Sequence, residues 1–147
     1  MNSSRAVLHV DDDPQFTRAI AARLAIFGFE VQSLNDSRRV LDELMRGQYR
    51  IVLLDIDMPH FDGLEVLSQI KSYDGGIQVV MLTGIVTMSA VLQSLRQGAE
   101  ACLFKPVRDI EPLVDAIDEA FRKLDRWWQA LEELSRRRQT GLELLTN

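Results

Sequence analysis

With a single cysteine, Cys102, among 147 residues, the chain cannot close an internal disulfide. A disulfide-stapled scaffold is therefore excluded, and the composition fits a reducing compartment, with the cytoplasm as the expected location. Long hydrophobic runs are missing too. No stretch approaches the ~18 apolar residues of a membrane span, and Met1 to Arg5 lead into no signal-like segment, so neither anchoring nor export is expected. Positive charge is scarce: 17 Lys and Arg stand against 22 Asp and Glu, for a net charge of -5. That balance gives no electrostatic reason to expect direct nucleic-acid binding, which usually needs a basic face. The one basic run, Arg136-Arg137-Arg138, reads as the solvated face of a charged helix.

What is present is ordinary for a folded domain, 46% apolar and 27% charged, and a chain of this length buries roughly 70% of its unfolded surface around one core. Short apolar runs alternate with longer stretches of helical period. The runs are Ala6 to Val10, Phe29 to Leu34, Ile51 to Leu54, Val79 to Leu82 and Ala101 to Phe104. Between them lie amphipathic segments at Pro14 to Phe27, Ser37 to Arg46, Leu64 to Tyr73, Met88 to Gln97 and from Ile110 onward. Asp13 before Pro14 reads as an N-cap and first helical residue; Asp36 and Asp109 are further caps, and Gly28, Gly47 and Gly98 mark helix ends. Strands joined by helix-length crossovers are parallel, and continuous apolar strands are covered on both faces, whereas the alternation of Phe29-Glu30-Val31-Gln32 suits an edge. The fold expected is α/β, a doubly wound five-stranded parallel sheet with an extended C-terminal helix. In such sheets ligands bind beyond the carboxyl ends of the strands.

Those ends carry Asp11, Asp12 and Asp13 after the first run, Asp55 and Asp57 at the third, Thr83 after the fourth and Lys105 after the fifth. Singly, each is an ordinary loop or cap residue. Together they converge on one rim. Carboxylates about 4 Å apart repel by roughly 4 kcal/mol per pair at an effective dielectric near 20, so the cluster must protonate or recruit a cation. Oxygen-only ligands point to Mg²⁺, which accepts phosphate oxygens in its shell. A hydroxyl at Thr83 and a fixed positive charge at Lys105 complete a phosphoryl-transfer site.

Val10-Asp11-Asp12-Asp13-Pro14, the segment from Ile51 to Leu67 with its Asp55-Ile56-Asp57-Met58-Pro59 core, the Leu82-Thr83-Gly84 corner, Gln97-Gly98-Ala99 and Lys105-Pro106 together resemble the receiver domain of two-component response regulators. The resemblance runs from about Ala6 to Arg122. It implies a flavodoxin-like (βα)5 fold and an Mg²⁺-dependent phosphoryl transfer from a histidine kinase or phosphotransfer protein. Asp55 would be the acceptor. Asp12, Asp55 and the Asp57 carbonyl would hold the metal, Asp11 would act through a metal-bound water, and Thr83 and Lys105 would hold phosphoryl oxygens. It also implies a cis Lys105-Pro106 bond and a signalling role rather than turnover of a substrate. His9, inside an apolar run, reads as a packed and hydrogen-bonded core histidine; His60 reads as a solvated loop residue, and Asp62-Gly63 as a turn in which glycine supplies positive φ.

Two features depart from the family. Cys102 stands where a Tyr or Phe usually precedes the lysine by three, and Val107 follows the Lys-Pro pair where an aromatic is common; the thiol reads as an apolar filler. The last helical stripe, Ile110, Leu113, Val114, Ile117, Phe121, Leu124, Trp128, Leu131 and Leu134, runs past the end of the domain. Residues 1 to 122 are therefore expected to form the receiver and 123 to 147 an extension, either a coiled-coil dimer seam or a segment whose Trp127 and Trp128 fold back. Two rival functions are weighed. A haloacid-dehalogenase-like phosphatase is disfavoured because its Asp-x-Asp motif sits on the first strand, and a silent receiver-fold interaction module because the Asp, Thr and Lys set is complete. The chain is expected to be a stand-alone receiver or the front part of a longer regulator.

Overall fold

The computed structural model describes residues 5–146, with side chains as far as Gly141. Five strands alternate with five helices: β1 (Ala6–Val10), α1 (Pro14–Ala25), β2 (Glu30–Leu34), α2 (Val40–Arg46), β3 (Ile51–Leu54), α3 (Gly63–Tyr73), β4 (Gln78–Thr83), α4 (Met88–Arg96), β5 (Ala101–Phe104) and α5 (Glu111–Thr146). A short 3₁₀ turn, Ser37–Arg39, precedes α2, so the stretch read as one helix from Ser37 begins as a tighter coil capped by Asp36.

All strand pairs are parallel and the order is β2-β1-β3-β4-β5. The central strands β3 and β4 are buried at every position. β2, at the edge, alternates as its sequence foretold. Side-chain alternation along the strands divides the core in two. Val52, Leu54, Val79 and Met81 meet Val40, Leu44, Val66, Leu67, Ile70 and Ala90 under α2, α3 and α4. Ile51, Leu53, Val80 and Leu82 meet Ile20 and Leu24 of α1 and Leu113, Val114, Ile117 and Ala120 of α5 on the other face. The chain reverses its direction of winding between β1 and β3, which leaves a crevice beyond their carboxyl ends.

Local chemistry fixes the helix ends. The Asp13 carboxylate accepts from the N–H groups of Gln15 and Phe16, Asp62 from Glu65, and Thr87 from Ala90, each satisfying donors that a helix start leaves open. Asp109 accepts from the N–H of Glu111 at the start of α5. Gly28 and Gly98 take positive φ, +87° and +93°, where other residues would be strained.

α5 is the element that outgrows the domain. Its first three turns are core, but Trp127 is 63% and Trp128 46% exposed, and Leu131 and Leu134 are exposed beyond them. The helix continues straight through these residues as one span of 36, so the tryptophans do not fold back onto the sheet. Among the described residues no helix is long and apolar enough to cross a membrane.

Candidate functional site

Each expected site residue except Asp57 brings its side chain to the mouth of the β1/β3 crevice or to a strand end beside it. Asp11, fully buried, follows β1 and accepts from the N–H of Asp13 at 3.0 Å. Asp55, 4% exposed, follows β3, its own N–H donating to the Val10 carbonyl. Asp12 is exposed at the rim, and ligand oxygens of Asp11, Asp12 and Asp55 all lie within 4.8 Å of one another. The Asp57 side chain is exposed and its carboxylate does not join that group; of Asp57, the backbone is what remains for a ligand role.

Lys105, at the end of β5, reaches across. Its Nζ donates to Asp11 Oδ2 at 2.6 Å and Asp55 Oδ2 at 3.2 Å. The Lys105-Pro106 bond is cis, as the family resemblance implied. Burial works against the lysine's charge, but the two carboxylates outweigh it and hold its pKa above the usual value. Burial raises the pKa of Asp11, the Lys105 hydrogen bond opposing it. One cation thus offsets two buried carboxylates, and negative charge remains in excess. Asp55 Oδ1, buried, has no hydrogen-bond partner. A partnerless carboxylate oxygen beside two more carboxylates is what a hard divalent cation would satisfy, so the donor set fits Mg²⁺.

Thr83 ends β4, fully buried, and its Oγ1 accepts from the N–H of Ile85 at 3.1 Å. That leaves the hydroxyl proton to donate to a group entering the crevice.

Several roles differ from what the sequence suggested. Gly63 is not a positive-φ turn residue. It opens α3 so close to the β3 end that a Cβ would lie 2.0 Å from the Asp55 carbonyl oxygen, so glycine is needed there for backbone proximity. Positive φ, 72°, falls instead on His60. His9 is buried as expected, but neither ring nitrogen has a hydrogen-bond partner; it packs edge-on to Phe16 with centroids 5.7 Å apart. Burial, then the nearby Lys105 charge, lowers its pKa to about 3. Cys102 is half-buried against the α2–α4 side of the core, its thiol pKa raised by burial, which agrees with a filler and not with a reactive thiolate. Sequence reasoning missed Phe16 altogether. Its ring lies under Lys105 Nζ, 4.4 Å from the centroid, and only its place one turn into α1 hinted at it.

The family model for the response regulator receiver domain matches residues 7–118. The C4-dicarboxylate transport transcriptional regulatory protein DctD of Pseudomonas aeruginosa is 32% identical over 114 residues, covering 78% of this chain and 24% of DctD. The chain thus spans about a quarter of that relative's length. DctD is a transcriptional regulatory protein by name, so the expectation of no nucleic-acid partner finds no support there. Among solved structures, the beryllofluoride-activated NtrC4 receiver domain dimer superposes with a TM-score of 0.76 at 25% identity, covering 82% of this chain and 98% of that one. The response regulator TrrA of Thermotoga maritima in complex with Mg²⁺-BeF does so with a TM-score of 0.72 at 25% identity, covering 79% and 98%. The β2-β1-β3-β4-β5 sheet, the carboxylates at its switch point and a match over most of the sequence agree, and the chain belongs to the response regulator receiver domain family.

Proposed function

We propose that this receiver takes a phosphoryl group onto Asp55 from the phosphohistidine of a sensor kinase or histidine phosphotransfer protein. The observation that carries the reading is the state of Asp55: buried at the crevice, one oxygen on Lys105 and the other without a partner. A carboxylate oxygen so placed attacks phosphorus in line. The new P–O bond forms as the P–N bond of the phosphoimidazole breaks, and the departing imidazole nitrogen takes a proton from water. Lys105 and the Thr83 hydroxyl bind and orient the transferred oxygens, since each is a donor at the crevice edge.

Asp12 and Asp55, with the Asp57 carbonyl, would hold Mg²⁺, and Asp11 would act through a bound water. When present, the ion supplies positive charge that offsets the phosphoryl oxygens. The chain is a phosphoacceptor that assists only its own phosphorylation and dephosphorylation, in a cytoplasmic setting, and turnover of a generic phosphomonoester would contradict this. Residues 1 to 122 form the receiver and 123 to 147 its extension. Exposed Trp127, Trp128, Leu131 and Leu134 on one protruding helix support a homodimer through that extension, a state for which the NtrC4 receiver dimer is a precedent in a related domain.

The decisive measurement uses acetyl phosphate as donor with Mg²⁺. Wild type should gain one acid-stable, base-labile phosphate, and Asp55→Asn none. Equal labelling of the variant would remove Asp55 from the role.

A further inference from the structure

The ammonium of Lys105 does not rest on carboxylates alone. Its Nζ lies 4.4 Å from the centroid of the Phe16 ring, within the range at which a cation is drawn to an aromatic face. The ring is itself fixed from two sides. The Phe16 N–H is tied to the Asp13 cap at 3.2 Å, and the buried His9 imidazole packs edge-on against it at 72°.

The carboxylate contacts of Lys105 are not permanent if the site works as proposed above. Asp11 and Asp55 belong to the carboxylate trio that fits a divalent cation, and an ion there competes for the oxygens that now hold the ammonium. Phosphorylation would turn Asp55 into an acyl phosphate, with its negative charge moved outward to the phosphoryl oxygens. Until the incoming phosphoryl oxygens take up the ammonium, a lysine on a flexible four-carbon stem, released by its carboxylates and beside a divalent ion, is drawn toward bulk water. Among the described residues, the face of Phe16 is the one partner of the Lys105 ammonium for which neither metal nor phosphate competes.

We propose that Phe16 is a positioning residue for phosphoryl transfer, its ring face keeping the Lys105 ammonium at the crevice while Asp11 and Asp55 exchange partners. The claim rests on the reading of Asp55 as acceptor. It differs from a packing role, in which Phe16 merely fills the edge of the α1–α5 side of the core, because an aliphatic residue would serve that equally well.

The experiment compares Phe16→Leu, which keeps apolar volume, with Phe16→Trp, which keeps a π face, each alone and combined with Lys105→Met. Acetyl phosphate with Mg²⁺ is the donor, and urea unfolding is followed in parallel. Phe16→Leu should slow phosphorylation by about three- to tenfold, Phe16→Trp should stay within about twofold of wild type, and Phe16→Leu should add nothing in the Lys105→Met background. A second readout needs no phosphorylation: the Lys105 Cε protons should resonate upfield under the ring current in wild type and Phe16→Trp, and return to the ordinary lysine position in Phe16→Leu. Equal slowing by Leu in both backgrounds, equal rates for Leu and Trp, or no upfield shift in wild type would each overturn the role. Labelling that survives in Asp55→Asn would instead defeat the acceptor assignment, so the two failures are told apart.

Discussion

His9 offers the sharpest test of the energetics beneath the site. Its imidazole is fully buried with both nitrogens unpartnered, and its pKa is lowered to about 3 from 6.5. A depressed folded-state value means that the unfolded chain binds the proton first as pH falls. Stability is therefore intact above pH 6.5 and is lost progressively below it, until the folded value is passed near 3. Between pH 6.5 and 5 the loss is about 1.5 pH units at ~1.4 kcal/mol each, or roughly 2 kcal/mol, equivalent to ~4–8 °C in Tm for a domain of this size. His9→Leu removes the titrating group while keeping a side chain of similar bulk. At pH 7.5 it should be as stable as wild type or up to about 2 kcal/mol more so, because it no longer buries an unsatisfied polar ring. Urea unfolding of both proteins at pH 7.5 and 5.0, without metal, gives the quantity that matters: the change in their stability difference. Asp11 and the other carboxylates titrate in both proteins, so their share cancels. The variant should gain roughly 2 kcal/mol on wild type over that interval. A stability difference that does not change with pH would refute the argument and imply that the imidazole is solvated or charged in place.

Gly63→Ala should destabilise the fold by about 2–4 kcal/mol, since its Cβ would lie 2.0 Å from the Asp55 carbonyl oxygen and one of two backbone segments must yield; a thermal midpoint within 2 °C of wild type would contradict this. Thr83→Ala should still accept phosphate, with a stability cost of about 1 kcal/mol for the lost Ile85 N–H partner, while amide exchange across residues 84 to 98 ceases to respond to phosphorylation. An unchanged exchange response would count against the threonine as sensor. Sedimentation should find the full chain in a concentration-dependent dimer and a chain ending at Arg122 as monomer, and two monomers at high concentration would dismiss the α5 seam.

Much of this was legible from side-chain period and punctuation. Continuous apolar runs at Ile51 to Leu54 and Val79 to Leu82 announced central strands, and caps at Asp13 and Asp109 set helix starts within a residue or two. The strand-end rule gathers Asp11, Asp12, Asp55, Thr83 and Lys105 on one rim from the sequence alone. What escaped the sequence depends on contacts between distant segments. Gly63 resembles a turn glycine until the Asp55 carbonyl is seen beside it, and His9 looked like a hydrogen-bonded core residue because nothing in a strand pattern reveals an absent partner. The 3₁₀ turn at Ser37 follows from Asp36 capping Arg38 two residues on, a local choice that helical periodicity does not distinguish. Phe16 meets Lys105 only because α1 and β5 lie on the same side of the crevice.

The length of α5 has a mechanical consequence. Leu113, Val114, Ile117 and Ala120 clamp its first turns into the core, while the span from Leu124 to Gly141 extends without a break for about 26 Å at 1.5 Å per residue. A rod held at one end magnifies whatever its socket does: a tilt of about 5° at the sheet moves the Gly141 end by roughly 2 Å. The loop before α5 begins at Lys105 itself, and Arg23 of α1 braces it by donating to the Val107 carbonyl at 2.6 Å. A displacement of that loop is therefore delivered enlarged along the exposed part of α5, past Trp128, Leu131 and Leu134.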